Sequence, residues 1–150
     1  YDLLAYAEEI RLTLYETLII ASIIEKEAYF KNDFALVASV VRNRLDNSSY
    51  PCLECDSTVI YALSYLRGER VTALTKQDLE LDDPYNTYKK EGLPPGPICN
   101  PSFTAITCAL YPEATDYYYF VSDSEMTIYY AKTLAEHQKN FENIKKQEGN

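Results

Sequence analysis

The chain has 150 residues, 47% of them apolar and 25% charged, and carries a net charge of −9; that suits one domain and leaves little room for two. Its Lys and Arg residues are dispersed, which argues against sequence-independent nucleic-acid binding and against unaided adsorption to anionic lipid. No apolar run reaches the roughly 20 residues that span a bilayer; the longest, Leu18–Ala21 continued by Ile23 and Ile24, stops at Glu25.

Residues 1–12 read as a short helical lead-in with Leu3, Leu4, Ala7 and Ile10 or Leu12 on one side. Thr13 and Glu16 have the spacing of a capping box, which opens a helix over about 14–29. That helix carries Leu18, Ile19, Ile20, Ile23 and Ile24 and is apolar nearly all round, so it is expected at the centre of the fold. Asn32 or Asp33 is the expected N-cap of a second helix, whose Phe34, Val37, Val41 and Leu45 fall on one face. Residues 46–55 read as a loop. Asp56 is expected to cap a third helix that ends before Gly68, and Thr75 with Asp78 marks a brief helical turn.

Residues 82–101, with five prolines and two glycines, exclude regular secondary structure and predict a long, stiff, ordered loop. Asn100 with Pro101 is expected to start a helix running to about Leu110. Two strands, Tyr117–Ser122 and Thr127–Ala131, follow from their aromatic and β-branched content, with a turn between them. Thr133 and Glu136 repeat the capping-box spacing ahead of a polar last helix. The expected class is α+β: mainly helical, with a small antiparallel sheet and a long Pro-rich ordered loop.

Cys52 and Cys55 form a C-x-x-C, but Cys99 and Cys108 are too widely spaced for a second zinc half-site, leaving disulfides or free thiols. The 15 tyrosines, with no tryptophan, suit either sugar stacking or plain packing. His137 is the only histidine; it lies on the polar last helix and reads as a solvated surface residue. No nucleophile elbow or phosphate-cradling glycine loop is present.

Cleaving a glycosidic bond requires a proton donor, and a carboxylic acid serves near neutral pH when burial raises its pKa. Ile20, Ile23, Ile24 and Glu27 stand at i, i+3, i+4 and i+7, which places Glu27 on an apolar stripe at the open end of a buried helix. Glu25 points about 160° away, since two residues turn a helix by about 200°; it shares its side with Leu18, Ala21 and Ser22. The competing reading of Glu27 is a surface residue, or one paired with Lys31.

These residues belong to an ordered set. ASIIEKEA (21–28), VASVVRNRL (37–45), DSTVIYAL (56–63), YNTYKKEGLPPGPICNP (85–101), DYYYFVSD (116–123) and KTLAEH (132–137) together resemble the MltG/YceG-like family of endolytic peptidoglycan transglycosylases, over roughly residues 15–140. The 85–101 loop is the most specific match. The resemblance implies that Glu27 is the catalytic acid/base. It would cleave the MurNAc–GlcNAc β-1,4 bond without water and leave a 1,6-anhydro-MurNAc end, with no metal or other cofactor. Asn43, Asp56, Tyr85, Asn86 and Tyr88 are the expected contributors to a glycan cleft. Tyr61 is expected to present a ring from the third helix, and Pro94, Pro95 and Gly96 to shape the wall. Competing readings make Asp56 a helix cap, Asn86 a turn former and the tyrosines packing. Arg42 and Arg44 either meet substrate carboxylates or are solvated.

Two alternatives stand beside this: a muramidase-type hydrolase using Glu27 and Asp56, and a glycan-binding module without turnover. The expected domain is a single catalytic unit over 1–150, a fragment of a longer protein, since the chain starts at Tyr1 without Met; a membrane anchor on that protein is implied by the resemblance alone. By resemblance its partners are peptidoglycan strands and cell-wall synthesis proteins, at the extracytoplasmic face of the membrane. Three departures from the family pattern stand out: Glu54-Cys55 precede Asp56 in place of Gln-Ser or Gln-Thr, Ser57 replaces Pro, and Met126, Thr127 and Ile128 occupy the place of Gly-Gly-His.

Overall fold

The structure is a computed structural model and describes residues 2–149. The Asp2 carboxylate accepts the N–H of Ala5 and opens α1 (Leu3–Glu9), which buries Ala7 while Leu4 faces solvent. The Thr13–Glu16 capping box forms in both directions and starts α2 (Leu14–Glu27). This helix stops two residues short of the expected end, because Ala28 turns to an extended conformation. Thr17 and every residue from Ile19 to Ile24 are buried, Ser22 among them, so α2 is enclosed on all sides as its composition demands.

A single 3-10 turn, Lys31–Asp33, leads into α3 (Phe34–Leu45), whose Phe34, Val37 and Val41 pack on α2. The expected side-chain cap at Asp33 does not form; the Asp33 carboxylate instead accepts the hydroxyl of Tyr130, far along the chain. α4 (Asp56–Arg67) ends on Gly68, whose φ of 67° lies in the left-handed region that glycine reaches freely. The cap expected of Asp56 is also absent: Asp56 is the first helical residue and its carboxylate turns to Tyr88. Thr75 and Asp78 exchange hydrogen bonds around the 3-10 turn Asp78–Glu80.

The proline-rich segment is an ordered strap along α2. Tyr15 donates its hydroxyl to the Pro95 carbonyl at 2.9 Å. Ser22, buried in mid-helix, accepts the N–H of Ile98 at 3.0 Å while donating to the Ile19 carbonyl. A Cβ on Gly96 would stand 2.9 Å from the Tyr15 hydroxyl and 3.0 Å from that of Tyr85, so a side chain there would displace one of the two phenols. α5 (Phe103–Leu110) follows. Its N-cap is Ser102, two residues beyond the expected Asn100, because Ser102 accepts the N–H of Ala105 and also bonds Glu25 of α2.

Strands β1 (Tyr119–Ser122) and β2 (Ile128–Ala131) pair antiparallel, with Tyr119 opposite Ala131 and Ser122 opposite Ile128. β1 starts later than expected because the carbonyls of Tyr117 and Tyr118 go to α3 side chains, Asn43 and Arg44. The second capping box, Thr133 with Glu136, opens α6 (Leu134–Gln147), which packs on both strands. The class is α+β and mostly helical, as the sequence predicts. Among the described residues no helix is long and apolar enough to cross a membrane, and all four cysteines are free thiols.

Candidate active site

Glu27 is the last residue of α2, where the buried apolar stripe runs out into a cavity of about 530 Å3. Val40 and Arg44 of α3, Leu53, Glu54, Asp56 and Tyr88 line it. So do residues 118–122, on and just before β1, and Leu134, His137 and Phe141 of α6. The segment ahead of α4 is pinned to the Tyr88 loop through Thr87: Glu54 N–H donates to the Thr87 carbonyl, and Cys55 N–H to its hydroxyl at 2.9 Å.

Glu27 Oε1 accepts two hydrogen bonds from Ser57 in the first turn of α4, from the N–H at 3.1 Å and from the hydroxyl at 2.6 Å. Among the described residues Oε2 has no protein partner, and Glu27 makes no ion pair with Lys31. Burial raises the Glu27 pKa above the ordinary carboxylate value. The two Ser57 bonds oppose the rise and the neighbouring Asp56 charge adds to it. Glu25 leaves the other side of the helix and accepts the N–H and hydroxyl of Ser102 at 2.9 and 2.6 Å. The two carboxylates thus serve the starts of different helices, α4 and α5, as the helical angle between them requires.

Asp56 and Tyr88 line the same cavity and are joined, the phenol donating to Asp56 Oδ1 at 2.5 Å. Burial, followed by this bond to Asp56, pushes the Tyr88 phenol far up, so it stays a donor. Arg44, only 7% exposed, is neither solvated nor free for a substrate carboxylate: Nε donates to the Tyr118 carbonyl at 2.6 Å and Nη1 to that of Cys52 at 3.0 Å. Its guanidinium also lies over the rings of Tyr50 and Tyr119 and pairs with Glu54 at 3.5 Å. Arg44 therefore fixes β1 and the 52–54 segment around the cavity.

The structure places the other expected site residues away from the cavity wall. Asn43 donates to the carbonyls of Thr115 and Tyr117 and borders a separate groove with Arg42. Asn86 is fully buried and holds the carbonyls of Leu79 and Leu81. Tyr61 and Tyr85 pack on each other at 4.9 Å, and Pro95 and Gly96 meet Tyr15. Of the 85–101 loop, Tyr88 alone reaches the cavity.

His137 is the largest correction to the sequence reading. It is no solvated surface residue but a half-buried part of the cavity wall, with its ring stacked on Tyr119 at 5.1 Å. A signal was present: Leu134, His137 and Phe141 stand at i, i+3 and i+7, one helical face, and all three line the cavity.

The YceG-like family model matches residues 2–143. The chain belongs to the YceG-like family. It is 43% identical over 129 residues to an endolytic murein transglycosylase of Bacillus subtilis (strain 168), which covers 86% of this chain and 34% of that relative. It is 39% identical over 132 residues to an endolytic murein transglycosylase of Streptococcus pneumoniae, covering 86% of this chain and 23% of the relative. The chain therefore spans about a third or less of these relatives. A crystal structure of a YceG-like protein from Listeria monocytogenes superposes with a TM-score of 0.82 at 43% identity, over 91% of this chain and 43% of that one. Both hydrogen bonds on Glu27 Oε1 come from Ser57, and a proline at this position, with neither an N–H nor a hydroxyl, would supply neither.

Proposed function

We propose that the chain is the catalytic domain of an endolytic lytic transglycosylase, with Glu27 as both acid and base. The observation that carries this reading is a buried-stripe carboxyl group opening into a cavity, its pKa raised by burial and one oxygen held by Ser57. Protonated Glu27 gives its proton to the glycosidic oxygen that leaves C1 of an N-acetylmuramic acid unit. The resulting carboxylate takes the proton from the C6 hydroxyl of the same sugar, whose oxygen closes on C1 to form the 1,6-anhydro ring. An intramolecular nucleophile replaces water and gains the rate advantage of proximity. One carboxyl group suffices, whereas a hydrolase requires a second one placed for water or covalent attack.

Asp56, bound by Tyr88 beside Glu27, acts as a fixed charge that keeps the Glu27 proton in place. The names of the Bacillus and Streptococcus relatives support murein as the substrate. Action on murein places the domain outside the cytoplasm, and a tether beyond this chain and cell-wall synthesis proteins as neighbours are part of the same proposal. Incubating the chain with long glycan strands and weighing the products tests it. Internal cuts ending in 1,6-anhydro-MurNAc are expected; reducing ends would favour the hydrolase, and binding without cutting the glycan-binding module.

Ser57→Ala supplies a second test. The Ser57 hydroxyl favours ionised Glu27, so its loss lets the Glu27 pKa rise further. The first step needs the protonated acid, so the rate falls as pH climbs through that pKa. In Ser57→Ala this alkaline limb is expected to move to higher pH, with a drop of about tenfold in kcat from the less constrained carboxyl group, the order of one lost charge-assisted hydrogen bond. A limb that moves to lower pH would contradict the assignment.

A further inference from the structure

In the wall of the cavity that Glu27 also lines, the His137 imidazole has an unusual set of surroundings. Nδ1 is buried with no hydrogen-bond partner, and among the described residues Nε2 has no protein partner either. The ring is held by stacking on Tyr119, whose face also carries the Arg44 guanidinium at 4.9 Å. His137 sits in the first turn of α6, its N–H bonded to the Thr133 carbonyl, where the positive end of the helix dipole disfavours an imidazolium. Burial and then the Arg44 charge lower its pKa, with Glu54 opposing. A neutral ring with one desolvated, unpartnered nitrogen places its proton on the other one, because a buried orphan N–H is the costlier arrangement. Nε2–H is then a fixed donor with nothing in the protein to receive it.

We infer that His137 is a substrate-binding residue whose Nε2–H donates to an amide carbonyl oxygen of the glycan strand on the α6 side of the cavity. The inference rests on the transglycosylase reading for its substrate class. A neutral acceptor is favoured over a carboxylate because Glu27, Glu54 and Asp56 line the same space against the single guanidinium of Arg44. Peptidoglycan carries such carbonyls on its N-acetyl groups and on its peptide stems; both are amides, and the test separates them.

Two substitutions part the donor from the ring. His137→Phe keeps an aromatic ring against Tyr119 without the N–H, and His137→Gln keeps an N–H donor at the distance of Nε2 without the ring. Binding of glycan fragments is measured by calorimetry in the full-length protein carrying Glu27→Gln, and KM and kcat are measured in the active protein. His137→Phe is expected to weaken affinity and raise KM about 3- to 10-fold, the loss of one neutral hydrogen bond, with kcat within about twofold of wild type, as for an interaction shared by ground and transition states. His137→Gln is expected to restore most of the loss. An effect retained on strands stripped of peptide assigns the N-acetyl carbonyl; one confined to stem-bearing strands assigns the stem. The reverse pattern, a silent Phe and a damaging Gln, would show that only the stacking matters and would overturn the inference. The calorimetric arm needs no turnover, so it separates failure here from failure of the transglycosylase reading, which would show as intact wild-type protein making no anhydro ends.

Discussion

Glu27→Gln is expected to lower formation of anhydro ends by about 10³-fold or more, because a positioned acid or base contributes about 10²–10⁴ to a proton-transfer step and this one residue serves two. Gln retains the carbonyl oxygen that accepts both Ser57 bonds, so the cavity and glycan affinity persist. Stability should move the other way. A carboxyl group whose folded pKa is raised stabilises the fold below its unfolded pKa, and that contribution is lost as pH rises through the folded value. Gln has no charge to desolvate, so the variant should equal or exceed wild type in thermal stability at alkaline pH and lose part of the pH dependence that sets in above the ordinary carboxylate value. Denaturation scans from acid to alkaline pH check it. A variant that loses both activity and stability at alkaline pH would mark Glu27 as a structural residue instead.

Asn86→Ala carries the largest expected cost to the fold. The side chain is fully buried; its amide donates to the Leu79 and Leu81 carbonyls at 2.9 and 2.8 Å, and its oxygen accepts the N–H of Tyr88 at 3.0 Å. Alanine leaves three part-buried backbone groups without their partner and a void where the Asn86 side chain was, at about 3–5 kcal/mol in total. For a domain of this size that lowers Tm by about 6–20 °C. The loop that carries Tyr88 loosens with it, so the bond between Tyr88 and Asp56 weakens and kcat/KM falls as well. Chemical denaturation beside kinetics reads both. An unchanged Tm with a raised KM would return Asn86 to the substrate surface, the role that its Y-N-T-Y motif suggests.

Asn86 also shows where the sequence stops being informative. A motif marks residues that a fold needs together, but not whether they face the ligand or hold the loop that does. Local rules were legible: both capping boxes, the stop at Gly68 and the enclosed stripe of α2 follow from neighbours along the chain. So was the separation of Glu25 from Glu27, because helical geometry fixes it. The cap at Ser102, in place of Asn100, was not, since it bonds a carboxylate 77 residues away in sequence. The place of Arg44 was equally hidden. Its partners are carbonyls and rings on other elements, and the Arg of Asn43-Arg44-Leu45 looks the same in sequence whether it meets solvent, substrate or a β-strand. His137 was misread for the same reason: a polar helix looks solvated until the hairpin it packs on closes the cavity around one of its faces.

The most direct measurement is cleavage of glycan strands in water enriched in heavy oxygen, with the new ends weighed. If the Glu27 carboxyl group passes its proton to the leaving oxygen and recovers one from the sugar's own C6 hydroxyl, the new ends are 1,6-anhydro and carry no label, and they vanish in Glu27→Gln. Labelled reducing ends, or unlabelled anhydro ends that persist in Glu27→Gln, would contradict it.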